Sequence, residues 1–240
     1  MQDVSVTLAK KSLQGIQQGD FMVGSLAVFV MLLGSGPPFA QEAGLSPDEA
    51  LKLLKEGNTR FIRDMPKEAE LGSKRRIELA QGQKPIAVIL TCSDSRAAPE
   101  IIFDKRLGML FVIRVAGNVT GPEVYGSIEY ALAVLKTPLV VVLGHTKCGA
   151  VEAALKAEDQ PSNNLKQLIS LIYTGKDLPR DKKAALVAAI RNNVLYQTEL
   201  LTKKSAIIRD FTTSGRVRIV PAIYDLSTGE VNWLEASKKK

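Results

Sequence analysis

The chain has 240 residues, 45% hydrophobic and 24% charged, with 18 Gly, 11 Pro, two Cys and a single His. That length is ample for one sizeable core, the balance is that of an ordinary folded soluble protein rather than a disordered one, and two cysteines exclude a disulfide framework as the basis of the fold. The formal charge of +7 does not read as a nucleic-acid surface, because the basic residues are scattered over 74–76, 182–183, 203–204 and 238–240, with no single stripe and no interleaved aromatics.

Residues 21–33 read FMVGSLAVFVMLL, thirteen positions without a charge, followed by the breaker-rich segment 34–38 and then Phe39-Ala40-Gln41. A transmembrane helix needs about 20 apolar residues, whereas the core of a signal peptide needs about 7 to 15. Residues 1–40 are therefore expected to be a signal peptide, cleaved near Ala40, that exports the chain to the periplasm and leaves no stable membrane span after processing. The other readings are an uncleaved N-terminal membrane anchor, or an arm that packs on a partner subunit in a cytoplasmic protein. Residues 41–240 are expected to form a single α/β domain.

Ser46-Pro47-Asp48-Glu49 combines an N-cap serine, a proline at the first helical position and a glutamate at the third, so a helix is predicted over 47–63. The run 86–90 is short, apolar and rich in β-branched residues, and it ends in Thr91-Cys92. Two more such runs follow: 110–115, ending at Gly117-Asn118, and 139–143, ending at Gly144-His145. Three apolar strands separated by segments long enough for helical crossovers predict a central, mostly parallel sheet flanked by helices on both faces. Helices are predicted over 123–135 and near 147–157, 163–173 and 184–211. A fourth strand is expected over 217–224, and a turn at 225–230 leads to a short last strand at 231–234.

In open parallel sheets, ligands bind beyond the carboxyl ends of the strands. Two polar clusters are expected there: Cys92-Ser93-Asp94-Ser95-Arg96, and His145-Thr146-Lys147-Cys148-Gly149. Taken singly, a buried cysteine is a small hydrophobe and a lone histidine a satisfied structural group. Taken together, Cys92, His145 and Cys148 offer a Cys2His set for one Zn2+, with the fourth position left to water in a catalytic site or filled by Asp94 in a closed one. Two thiolates neutralise the charge of the metal, so neighbouring groups gain importance. Asp94 is placed to orient the water, and Arg96 to hold that carboxylate by a two-point pair, ionised and off the metal. The plain alternative for these two is an ordinary ion pair.

These residues resemble the β-class carbonic anhydrases, whose signature C-x-D-S-R followed by G-H-x-x-C-G is met by Cys92 to Arg96 and by Gly144 to Gly149. The likeness extends through Gly82-Gln83-Lys84-Pro85, Phe111-Val112-Ile113-Arg114, Ile128-Glu129-Tyr130-Ala131 and Tyr224-Asp225-Leu226-Ser227-Thr228-Gly229, and covers roughly 46–234. It implies reversible hydration of CO2 to bicarbonate by a zinc lyase. The implied fold is a four-stranded parallel sheet with an added antiparallel strand, in a homodimer or a higher assembly of dimers. It also implies that Gln83 donates its amide to the substrate, that Phe111 and Tyr130 line an apolar pocket near the subunit boundary, and that Gly149 belongs to the substrate site.

The chain departs from that family pattern where Arg-Asn is Arg114-Val115 and where the later Ala-Asn is Gly117-Asn118. Ile89 stands where members with a regulatory bicarbonate site carry tryptophan, so no such site is expected. The competing functions are hydrolysis of carbonyl sulfide or carbon disulfide on the same site, a non-catalytic zinc site held closed by Asp94, and a redox dithiol formed by Cys92 and Cys148.

Overall fold

A computed structural model describes residues 44–67, 72–156 and 160–235; the segment read as a signal peptide or anchor lies outside them. Helix α1 (Pro47–Ile62) starts as its sequence requires. The Ser46 hydroxyl accepts from the Glu49 amide at 3.2 Å, while Glu49 Oε2 accepts from the Ser46 amide at 2.8 Å. Its inward stripe is Ala50, Leu51 and Leu54. Gly57 lets the helix approach the chain so closely that a Cβ there would lie 1.8 Å from the Phe103 carbonyl oxygen.

The elements that follow are α2 (Ser73–Leu79), β1 (Ala87–Thr91), α3 (Pro99–Ile102), β2 (Leu110–Arg114), a 3-10 turn (Ala116–Asn118), α4 (Pro122–Ala133), β3 (Leu139–His145), α5 (Gly149–Lys156), α6 (Asn163–Ser170), α7 (Lys182–Lys204), α8 (Ala206–Thr213), β4 (Arg218–Tyr224) and β5 (Val231–Trp233). The strands make one sheet in the order β2-β1-β3-β4-β5, the first four parallel and β5 antiparallel to β4. This is the expected α/β architecture.

Every residue of β1 and β3 is buried, which is why both read as unbroken apolar runs: helices cover the two faces of these interior strands. On one face Ile89, Leu139, Val141 and Leu143 pack with Leu54 and Phe103. On the other, Val88, Leu90, Val140 and Val142 pack with Ile128, Leu132, Val194, Leu201 and Ile208. Each such side chain contributes about 1.5–3 kcal/mol by leaving water. Strand β2 differs: although it reads Leu-Phe-Val-Ile-Arg, four of its residues are only half-buried and Arg114 is exposed, because it is the free edge of the sheet.

The expected helix over 184–211 is two helices, broken at Ser205. That residue is extended (φ −117°, ψ 121°) and caps α8, its hydroxyl accepting from the Ile208 amide at 3.1 Å and donating to Glu129 Oε1 at 2.6 Å. An apolar pattern that runs through both helices hid a serine whose cap satisfies the new helix start. Helices α2 and α3 and the 3-10 turn were not foreseen. Among the described residues no helix is long and apolar enough to cross a membrane.

Candidate metal centre

Strands β1 and β3 lie side by side and parallel, with Thr91 opposite Leu143. Their carboxyl ends therefore come out together: Cys92 follows β1 directly, His145 is the last residue of β3, and Cys148 precedes α5. The Thr91 hydroxyl ties the two ends by donating to the Leu143 carbonyl at 3.0 Å. Lys147, at φ 55°, turns the chain so that Cys148 comes back over His145. Thr146 fixes this turn to the end of β4, its amide donating to the Tyr224 carbonyl at 2.9 Å and its hydroxyl accepting from the Leu226 amide at 3.0 Å. The C-terminal Tyr224–Gly229 motif thus braces the histidine loop.

The three ligand atoms lie within 4.8 Å of one another, and the two sulfurs are 4.0 Å apart. Cys92, Cys148 and His145 are 4%, 2% and 1% exposed. His145 Nδ1 sits 2.9 Å from the Thr146 carbonyl oxygen. A carbonyl only accepts, so Nδ1 carries the proton, and Nε2 is left with a lone pair. That Nε2 is buried without any hydrogen-bond partner, which is costly for a polar atom unless something binds it. Two sulfurs and an orphaned imidazole nitrogen within one small volume are a donor set suited to Zn2+. The residues fit the metal.

The electrostatics point the same way. Cys92 is held well below the usual thiol range, chiefly by a hydrogen bond from Cys148 and, against the effect of burial, by His145 and the Gly117 amide. Cys148 is pushed up by the Cys92 sulfur and by burial. Burial pulls His145 down, but Cys92, the Thr146 carbonyl and Asp94 more than offset it and raise it above its ordinary value. The negative surroundings that favour an imidazolium favour any cation at that place.

Asp94 lies beside the cluster, Oδ2 being 3.7 Å from His145 Nε2. Arg96 grips it at two points, Nε to Oδ1 at 2.9 Å and Nη2 to Oδ2 at 2.7 Å, and the Arg96 amide adds a bond to Oδ1 at 3.0 Å. This grip is the main reason the Asp94 carboxyl lies far below its ordinary range. Both carboxylate oxygens are thereby turned to the arginine, the arrangement expected of a site whose fourth position is open.

Other expected site residues are placed elsewhere. Gln83 is exposed in the connection that leads into β1, at the end of that strand opposite Cys92, so a five-residue strand of about 16 Å separates it from the cluster of its own chain. Phe111 pairs with Val88 near the start of the strands. Its ring stacks on Tyr130 at 6.3 Å between centroids, and Tyr130 is 48% exposed. These three residues gather along the β2 edge and the sheet end that leads into it, not at the cluster. Gly149 opens α5 beside Cys148, and a Cβ there would meet nothing within 4 Å, so packing does not demand glycine.

Two contributors escaped the sequence reading. Arg114 donates from Nε to the Cys92 carbonyl at 3.2 Å and from Nη2 to the Asp94 carbonyl at 2.6 Å, and the Gly117 amide donates to Cys92 Sγ at 3.3 Å. Arg114 stood in the family likeness without a role, and Gly117 only as a departure; the glycine next to Asn118 was the available signal of a tight turn.

A mostly parallel sheet whose interior strands are covered on both faces, with a buried Cys2His set at the carboxyl ends of neighbouring strands, defines an α/β protein with a preformed metal centre. Residues 87–231 match the family described as carbonic anhydrase. The chain is 40% identical over 190 residues to the carbonic anhydrase of Mycolicibacterium smegmatis, covering 78% of this chain and 92% of that one. It is 41% identical over 188 residues to carbonic anhydrase 2 of Mycobacterium tuberculosis, covering 77% and 91%. A tetrameric β-carbonic anhydrase of Sordaria macrospora superposes with a TM-score of 0.61 at 25% identity, over 66% of this chain and 85% of that one. The chain belongs to the carbonic anhydrase family, in its β class. These relatives lend no support to the sulfur-analogue, non-catalytic or redox-dithiol readings.

Proposed function

We propose that this chain catalyses the reversible hydration of CO2 to bicarbonate and a proton, with Zn2+ held by Cys92, His145 and Cys148. The observation that carries this reading is the buried, unpartnered His145 Nε2 between two cysteine sulfurs, with Asp94 beside it and gripped by Arg96. Bound there, zinc supplies the Lewis acidity that makes water a nucleophile near neutral pH. Asp94, kept ionised by Arg96, would accept a hydrogen bond from that water and direct its lone pair toward the substrate. Beside Cys148, a Cβ at Gly149 would meet nothing within 4 Å, which leaves room there for a small substrate.

The working unit in this reading is a homodimer or an assembly of dimers. Strand β2 supports it, being an apolar edge strand left half-covered, and such an edge pairs readily with another chain. Gln83, Phe111 and Tyr130 lie along that boundary. Gln83 then serves the CO2 site of a second copy with its amide, and the two rings supply apolar wall for a substrate without charge or permanent dipole. Export to the periplasm with cleavage near Ala40 is proposed on the thirteen-residue uncharged run at 21–33 and the breakers after it; fractionating the cells and sequencing the amino terminus tests it, and a chain found only in the cytoplasm with Met1 intact overturns it.

The decisive experiment is stopped-flow CO2 hydration on protein of measured zinc content, together with Cys148→Ser. One zinc per chain with fast hydration, both lost in the variant, is the expected result. Zinc without hydration at alkaline pH overturns the activity, and absence of zinc overturns the centre.

A further inference from the structure

Helix α7 carries two polar side chains with no exposure at all, Asn193 and Gln197, whose polarity neither the core nor the ligand set explains. Asn193 Nδ2 donates to the Gly117 carbonyl at 2.7 Å. Its Oδ1 accepts from the Tyr173 amide at 3.1 Å and from Gln197 Nε2 at 3.2 Å. Gln197 Nε2 also donates to the Leu171 carbonyl at 2.9 Å, and its Oε1 accepts from both the amide and the hydroxyl of Thr120 at 2.9 Å.

The two amides thus fasten two separate stretches of backbone, one running from Gly117 to Thr120 and the other from Leu171 to Tyr173. Between the fastened points of the second stretch stands Ile172, whose side chain roofs Gly117: a Cβ on Gly117 would be 2.7 Å from Ile172 Cδ1. Gly117 itself is left-handed, at φ 70°, and from that conformation its amide reaches Cys92 Sγ. A donor aimed at a ligand sulfur fixes where that sulfur sits, as groups around metal ligands do. A buried residue whose carbonyl is held by Asn193 can keep its amide on that aim, whereas a loose turn cannot.

We propose that Asn193, supported by Gln197, is a positioning residue for the metal centre: it locks the Ala116–Asn118 turn so that the Gly117 amide remains hydrogen-bonded to the Cys92 sulfur. The inference rests on the reading of Cys92, His145 and Cys148 as the zinc site. Neighbours that orient metal ligands are worth about 10- to 100-fold in metal affinity, so loss of Asn193 should weaken zinc by about tenfold.

Any buried asparagine costs stability when lost, so a control of the same kind is needed. Asn58 provides it: 5% exposed, it bonds the carbonyls of Ile102 and Gly229 and the Val231 amide, none of which touches the turn. Full-length protein, Asn193→Leu and Asn58→Leu are compared for Tm, for the rate of zinc loss to an excess of chelator, and for the thiolate-to-metal charge-transfer band after substitution with Co2+. Both variants should lower Tm. Only Asn193→Leu should release zinc about ten times faster and shift the band.

Equal zinc release from the two variants, or an unshifted band in folded Asn193→Leu, overturns the proposal. If Asn193→Leu does not fold, Thr120→Val, which removes the hydroxyl from Gln197 Oε1, should give a smaller acceleration in the same direction, and no acceleration overturns it. A wild-type chain that holds no metal at all overturns the zinc reading, and this inference with it; a wild-type chain that holds zinc as firmly as its Asn193 variant overturns this inference alone.

Discussion

The guanidinium of Arg114, on the outer strand β2, donates to the main-chain carbonyl of Asp94 at 2.6 Å. A second bond, to the Cys92 carbonyl at 3.2 Å, makes Arg114 a clamp across the loop that presents both a metal ligand and the carboxylate beside it. Because these bonds go to backbone, they hold the loop without competing with Arg96 for the Asp94 side chain. Arg114→Met should retain about one zinc per chain yet hydrate CO2 at least tenfold more slowly, since misplacing a catalytic group by about 1 Å can cost 100-fold. Zinc content and stopped-flow rates on the same samples check this.

The grip of Arg96 on Asp94 sets a pH dependence. The folded carboxyl lies below its unfolded value of about 4, so the folded state binds fewer protons there, and the pair stabilises above that pH and stops doing so as pH falls through the folded value. The stability difference between wild type and Asp94→Asn should be constant from pH 8 to 5 and shrink only below about pH 4. Urea titrations of the metal-free protein at each pH measure it. Releasing Asp94 through Arg96→Gln in the zinc-loaded protein should lower activity most in mildly acidic solution, where a freed carboxylate competes best for the fourth position on the metal.

The sulfurs of Cys92 and Cys148, 4.0 Å apart and free, need only a modest shift to reach bonding distance, about 2.05 Å. Metal-free protein should therefore lose both thiols under a mild oxidant, and zinc-loaded protein should not, as thiol titration will show. Refolding without zinc in an oxidising buffer should yield an inactive chain that recovers after reduction and metal addition. An exported chain would meet that hazard before its zinc arrives.

Much of this was legible in the residues, for identifiable reasons. The interior strands β1 and β3 announced themselves because burial on both faces demands unbroken apolar runs, and α1 because its capping box is local. Cys92, His145 and Cys148 were readable because metal chemistry restricts residue type and spacing. What the sequence hid is what depends on partners far along the chain. Arg114 looks like any strand-end arginine until β2 is known to flank β1. Asn193 and Gln197 look like the polar face of α7 until that helix is known to lie over the Gly117 turn. Gln83 was read as a site residue, and only the strand direction reveals that it sits at the far end from its own chain's cluster.

The contact between Gly57 and Phe103 predicts a sharp local intolerance. With the carbonyl oxygen of Phe103 only 1.8 Å from where a Cβ would stand, Gly57→Ala must push α1 away from the backbone that ends α3, and backbone cannot yield as a side chain end can. Overpacking of this kind costs typically about 1–3 kcal/mol, whereas Ala for Gly in an unobstructed helix would gain about 0.5–1 kcal/mol. Denaturant unfolding distinguishes the two signs directly.

His145 is the only histidine in the chain, and it is 1% exposed. With that one imidazole committed to the buried cluster, no second histidine is available to take up protons near neutral pH. Without an exterior imidazole to hold it, the proton that each hydration releases is handed to the medium. The surrounding buffer then acts as a second substrate, and the hydration rate should climb with its concentration at fixed pH and ionic strength.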